Sequence, residues 1–146
     1  MTYSELFKDQ YRYALLDVSY RMIEKHKETK STMKATDTIN TEIMKDGVEL
    51  LYTRRVYHVP EEEFEASVTY KLLLDAADGI SLLDYPGEEV QKAIKESAGS
   101  VVGPIASKAS SMIAHITEIG QGVPVILPAG LIKEEDAAGE NNEAET

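Results

Sequence analysis

From Phe64 to Asp75 the chain alternates strictly, and this run constrains the fold more than any other. Phe64, Ala66, Val68, Tyr70, Leu72 and Leu74 share one parity, with Glu65, Ser67, Thr69, Lys71 and Asp75 on the other. Successive side chains of a strand point to opposite faces, so the run predicts a half-buried strand with its apolar side inward. Glu49 to Val59 predicts a second strand, with Leu50, Tyr52 and Val56 on one face and Leu51, Tyr57 and Val59 on the other. Pro60-Glu61-Glu62-Glu63 between them predicts a hairpin connection. Upstream, Met33, Ala35, Ile39 and Ile43 share a parity in a segment rich in β-branched Thr and Ile. Lys45-Asp46-Gly47 supplies its turn into the next strand. Three strands joined this way form an antiparallel meander.

The N-terminal segment fits two periods. Phe7, Tyr11, Leu15, Val18 and Met22 fit a helix face, while Ala14, Leu16, Val18, Tyr20 and Met22 alternate with Asp17, Ser19 and Arg21. We read a short helical or irregular lead to about Gln10, then a first strand near Tyr13–Ile23. After Gly79 the period becomes helical. Pro86 fits a helix N1 position ahead of Glu88 and Glu89, and Val90, Ala93, Ile94, Ala98 and Val101 form one stripe. Gly103-Pro104 breaks that helix and opens another, whose expected buried face is Ile105, Ala109, Met112, Ile113, Ile116 and Ile119, ended by Gly120. Small Ala106, Ala109 and Ser110 suit close approach to another helix. Val123-Pro124-Val125-Ile126-Leu127-Pro128 predicts an extended edge or packed arm. Strands first and helices afterwards give an α+β fold: a four-stranded antiparallel sheet followed by two helices packed on or beside it.

Length and charge narrow the function. A chain of 146 residues suits one domain. It carries 26 acids against 15 bases, a net charge of −11. From Lys133 onward six acids face one base and no large apolar side chain occurs, so residues 1–132 are read as the domain and 133–146 as a solvated acidic tail. Polyanion binding needs basic patches, so neither nucleic acid nor an anionic membrane is an expected partner. The absence of cysteine excludes disulfides and thiolate sites and fits a reducing cytoplasm. No N-terminal signal peptide and no apolar run of ~18 residues is found, so membrane insertion is not expected.

Catalytic patterns are missing. His26, His58 and His115 form no metal pair at helical spacing, and no phosphate loop or G-x-S-x-G elbow occurs. Gly120-Gln121-Gly122 follows a helix rather than opening one. Glu61-Glu62-Glu63 and Glu88-Glu89 lack the loop that spaces calcium ligands, and Ser110 and Ser111 lack a base. We therefore expect no enzyme, no cofactor and no metal. What remains is surface: tyrosine dominates the aromatics, eight against two Phe. Tyr20, Leu51, Tyr52, Val56, Tyr57 and Val59 are the candidate surface for polypeptide binding or oligomerisation, since apolar groups on both sheet faces leave one face for another subunit or an extended chain.

Short motifs in order resemble the SecB-like superfamily of export chaperones and its uncharacterised Gram-positive branch. Leu16-Asp17-Val18-Ser19-Tyr20 resembles the family's K-D-I-S-F first strand, and Phe64 to Leu74 its fourth strand. Gly103-Pro104-Ile105-Ala106 through Ser111-Met112-Ile113 is similar to the segment opening its long helix. Gly122 to Ile132 resembles its G-x-P-x-L-x-L-x-P-I-N-F ending, and the lead Phe7 to Tyr13 resembles the Gram-positive branch. The resemblance implies a dimer-of-dimers homotetramer with first strands and helices at interfaces, and unfolded clients held in apolar grooves. It also implies delivery to SecA through acids on the sheet, of which Asp17 is the candidate here. Arg21 stands where a second acid is expected, Ser67 replaces another, and Glu65 replaces a leucine. Ile105 takes the aromatic's place in the long helix, with Ser107 and Lys108 at the arginine's. The resemblance thus implies either a holdase serving protein export, or an oligomeric binding protein with a dedicated partner such as an antitoxin, phage or host factor that does not depend on SecA.

Overall fold

The computed structural model describes residues 1–23, 31–60 and 63–132. His26, Glu61, Glu62 and the acidic segment from Lys133 lie outside the described residues. A short helix α1 (Tyr3–Leu6) leads into strand β1 (Arg12–Ile23), followed by β2 (Thr32–Met44), β3 (Gly47–Val59) and β4 (Glu63–Asp75). A 3-10 turn at Leu82–Asp84 precedes α2 (Gly87–Glu96), α3 (Ala98–Val101) and α4 (Gly103–Gln121). The sheet is antiparallel in the order β1-β4-β3-β2, so the meander is as expected and both β1 and β2 are edges. The fold is α+β.

β3 and β4 each bury one parity throughout, whereas β2 buries only Ala35 of its expected set and β1 buries none of its side chains. Phe64, Ala66, Val68, Tyr70, Leu72 and Leu74 are buried beneath the helices with Leu50, Tyr52 and Val56 of β3 and Ala35 of β2. Leu6, Phe7, Val90, Ala93, Ile94, Val101, Ile105, Ala106, Ala109 and Ile113 close the core from the other side. Burial of this apolar surface, at ~25 cal/mol per Å², holds sheet and helices together.

The first strand fits two periods because it contains a bulge. Leu15 pairs with Tyr70 and Asp17 with Thr69, leaving Leu16 as the extra residue. Tyr13 and Leu15 therefore share the helix-side face with Val18, Tyr20 and Met22, whereas Ala14, opposite Lys71, turns away. No single parity describes such a strand.

Five helical expectations are corrected. The stripe from Val90 to Val101 is broken at Ser97 into two helices. Pro86 is the N-cap of α2 rather than its first residue. The long helix passes Gly120 and stops at Gly122, whose φ of 83° lies in the left-handed region that glycine enters freely. Gly120 is glycine for a different reason: a Cβ there would collide with the ring of Tyr20. Finally, Ile119 is 72% exposed, and Ser110 and Thr117 take places on the buried face. Ala106, Ala109 and Ser110 allow close approach to sheet and arm, not to another helix.

The face of the sheet opposite the helices is more polar than its sequence suggested. Leu51, Tyr57 and Val59 lie on it, but hydroxyl pairs Ser19–Ser67 (2.9 Å) and Thr53–Thr69 (2.8 Å) run across its centre. Arg55 and Arg21 both bond Glu65, at 2.7 and 2.9 Å, and Arg55 lies over the Tyr57 ring at 4.1 Å. The expectation of a second, broadly apolar face is therefore corrected.

Candidate polypeptide-binding groove

The candidate site begins with a charge where the pattern calls for an apolar residue. Arg54 shares the parity of Tyr52 and Val56, and its side chain is 0% exposed. Its neighbour across the β2–β3 ladder is Asp37, 4% exposed in its side chain. The guanidinium holds the carboxylate in a two-pronged contact, Nε to Oδ1 at 2.8 Å and Nη2 to Oδ2 at 2.7 Å. Tyr52 Oη donates to Oδ1 at 2.7 Å, and the Ile132 backbone N–H donates to Oδ2 at 2.7 Å. Burial opposes the charge on Arg54, but the Asp37 hydrogen bonds and the neighbouring Tyr52 outweigh it and raise the arginine's pKa. Burial, then the Asp37 charge, pushes the Tyr52 phenol far above its ordinary value, so it remains a donor.

This cluster fastens the C-terminal arm. Arg54 Nη1 donates to the Pro128 carbonyl at 2.7 Å and to Ser110 Oγ, and Nη2 donates to the Gly130 carbonyl at 2.6 Å. Ser110 and Ser107 of α4 donate to the carbonyls of Pro128 and Ala129, and Thr117 Oγ1 accepts the Val125 N–H at 2.8 Å. Val125, Leu127 and Ile132 are buried, while Val123 and Ile126 face outward. Among the described residues the arm pairs with no strand, and these bonds satisfy part of its backbone.

The fixed arm forms one end of a groove of about 690 Å³. Ile39 and Thr41 of β2 form one wall, Ile94 of α2 with Ala98 and Val102 the other, and Leu131 and Ile132 the end. Glu88, Gln91, Lys92 and Lys95 complete its rim. Clefts of ~300–1,000 Å³ with apolar walls and a few polar groups are the usual form of a ligand site. β2 pairs only with β3 among the described residues, so its outer backbone edge runs beside the groove.

The candidate residues read from the sequence do not converge on this groove. Tyr52 and Val56 are fully buried in the chain's own core, with Tyr52 bonded to Asp37. Leu51 and Tyr57 are half-buried on the opposite face, and Val59 is exposed at the end of β3. Tyr20 is half-buried, stacked on Phe64 at 5.9 Å with its hydroxyl on Met22 Sδ. Asp17 is exposed opposite Thr69 on the face away from the helices. His58 is buried against Phe64, with Nε2 2.9 Å from Glu63, and His115 is exposed. Among the described residues no cluster of three or more His, Asp or Glu is placed to hold a metal ion. No helix of the described residues is long and apolar enough to cross a membrane.

Glu65 offers a direct check of the outer face. Hydrogen bonds from Arg55 and Arg21 hold its carboxyl below the usual carboxylate range. Its contribution to stability is present above the unfolded-state pKa of ~4.3 and is lost as pH falls through the lower folded value. In an NMR titration, Arg55→Gln is expected to move the Glu65 midpoint upward; an unchanged midpoint would contradict the pairing.

No protein-family model matches the sequence, and no curated protein does. Among solved structures, a SecB-like chaperone of Mycobacterium tuberculosis, in complex with a ChAD peptide from the HigA1 antitoxin, superposes with a TM-score of 0.60. It is 14% identical, and the match covers 82% of this chain and 88% of that one. The chain has the SecB-like fold. A protein of unknown function from Streptococcus agalactiae also matches, at 14% identity and a TM-score of 0.35, over 82% of this chain and 98% of that one. The SecB-like order of four strands before the helices accounts for the groove's position: the chain crosses from β4 to the helices and returns along the arm, and the described residues stop at Ile132 beside β2.

Proposed function

We propose that this protein is a SecB-like binding protein that holds extended polypeptide in the groove between β2, α2 and the arm. The observation that carries this reading is the groove itself: apolar walls, a polar rim and, among the described residues, an unpaired strand edge in one place. A chain laid along β2 would gain main-chain hydrogen bonds from the edge and bury alternate side chains against Ile39, Ile94 and Val102. We read it as a cytoplasmic, non-enzymatic holdase built on residues 1–132, with 133–146 as an acidic tail. The test is suppression of aggregation of a chemically unfolded client by the intact protein. Suppression at near-stoichiometric amounts is expected, and none at tenfold excess would overturn the holdase reading.

A second reading, a dedicated protein partner in place of export clients, is favoured by the outer face. Arg21 and Arg55 neutralise Glu65 there, so the sheet offers few free acids to SecA. The similar Mycobacterium tuberculosis chaperone is in complex with an antitoxin peptide, which fits a partner of this kind. Titrating SecA separates the two: saturable binding favours export, and silence favours the dedicated partner.

Self-association belongs to the same proposal. Tyr13, Leu15, Leu16 and Met22 are all exposed along the edge strand β1, an unusual apolar row for a lone edge. A second copy placed along β1 would cover it and build the homo-oligomer. The intact protein is expected to run as a dimer or tetramer in light scattering, and Leu15→Asp with Leu16→Asp to reduce it to a monomer. A wild-type monomer at tens of micromolar would contradict this.

A further inference from the structure

We infer that the acidic tail, residues 133–146, docks at the Lys92–Lys95 end of the groove's rim and competes with bound polypeptide. The inference rests on the groove being the polypeptide site, and adds a control built into the chain. Ile132 lines the groove and is tied to Asp37 through its N–H, so the chain leaves the described fold inside the site. The fourteen residues that follow carry six acids and one base. At ~3.3–3.6 Å per residue, Glu134, Glu135 and Asp136 all fall within ~15 Å of Ile132.

Matching charge is offered at one end of the rim, by Lys92 and Lys95, while Glu88 stands at the other and the Asp37 carboxylate in the lining is held by Arg54. Lys92 has only a 4.0 Å contact with Glu96, both largely exposed, and Lys95 makes no ion pair among the described residues. Glu88 lies farther toward the N-terminus of α2, which directs an acidic segment to the Lys92–Lys95 end. The tail has no large apolar side chain, so it cannot replace a client against the groove's walls. Its hold is therefore electrostatic, screened by salt and displaceable, and tethering supplies an effective concentration in the millimolar range.

The absence of cysteine permits a clean test on the full chain. With a nitroxide on Glu140→Cys, the backbone amides from Gln91 to Lys95 are expected to broaden in NMR spectra. The broadening should vanish in 0.5 M NaCl and in Lys92→Glu with Lys95→Glu. Neutralising the six tail acids to Gln and Asn should tighten binding of a fluorescein-labelled, extended apolar peptide carrying two aspartates by ~2–10-fold at low salt. Broadening elsewhere or nowhere overturns the inference. So does an unchanged affinity in the neutralised tail while the wild type still binds the peptide, which leaves the groove reading intact. Failure of both proteins to bind the peptide overturns the groove reading and, with it, the competition.

Discussion

Arg54→Ala is expected to destabilise the protein by ~3–5 kcal/mol, because it strands the Asp37 carboxylate in the core. Arg54 is also the donor to the Pro128 and Gly130 carbonyls, so the substitution leaves arm backbone groups unpaired as well. In a domain of this size that loss lowers Tm by ~10 °C or more. Arg54→Lys is not expected to rescue it, since one ammonium cannot span both carboxylate oxygens and two carbonyls at once. The pair Arg54→Leu with Asp37→Leu should be less damaging than the two single losses summed, with coupling of ~2 kcal/mol or more, because no buried charge is then left alone. Urea midpoints at constant m-value measure all three. A loss below ~1 kcal/mol for Arg54→Ala would show that the cluster does not hold the arm.

Ile39→Glu is expected to weaken binding of an extended apolar peptide by at least tenfold while leaving Tm nearly unchanged. Ile39 lies on the groove wall and is already 37% exposed, so a carboxylate there remains hydrated when the groove is empty. When an apolar peptide closes over it, the charge loses water and the peptide lies between it and Lys92 and Lys95 on the opposite rim, a cost of several kcal/mol that appears in affinity alone. Thr41→Ser on the same wall is the control and should change affinity little. Fluorescence anisotropy with thermal melts of each variant distinguishes loss of binding from loss of fold. Equal affinity for Ile39→Glu and wild type would place the peptide elsewhere.

Much of this fold is legible from residue order. The parity of Phe64–Leu74 specifies the central strand and its buried face, and Lys45-Asp46-Gly47 specifies the turn before β3. The same turn also fixes the β2–β3 register. Two turn residues place Met44 opposite Gly47, and counting back along the ladder sets Asp37 opposite Arg54. Both residues occupy apolar parities with opposite charges, which is the sequence signature of a buried ion pair. The tyrosines drew attention instead, and Tyr52 proved to be a donor within that pair's network. The arm's return over Arg54 is set by tertiary contacts from residues more than seventy positions away, which no local pattern encodes. The bulge at Leu16 is hidden for a related reason: one extra residue reverses parity within a strand, and only its pairing with β4 reveals where.

The groove between β2, α2 and the arm is the proposed polypeptide site. Chemical-shift mapping on the isotope-labelled intact protein, titrated with an extended apolar peptide, tests it most directly. Saturable shifts clustered at Ile39, Thr41, Lys95, Ala98, Val102 and Leu131 are expected. Shifts confined to Tyr13–Met22 on β1 or to the outer face around Tyr57, or no shifts at all, would contradict it.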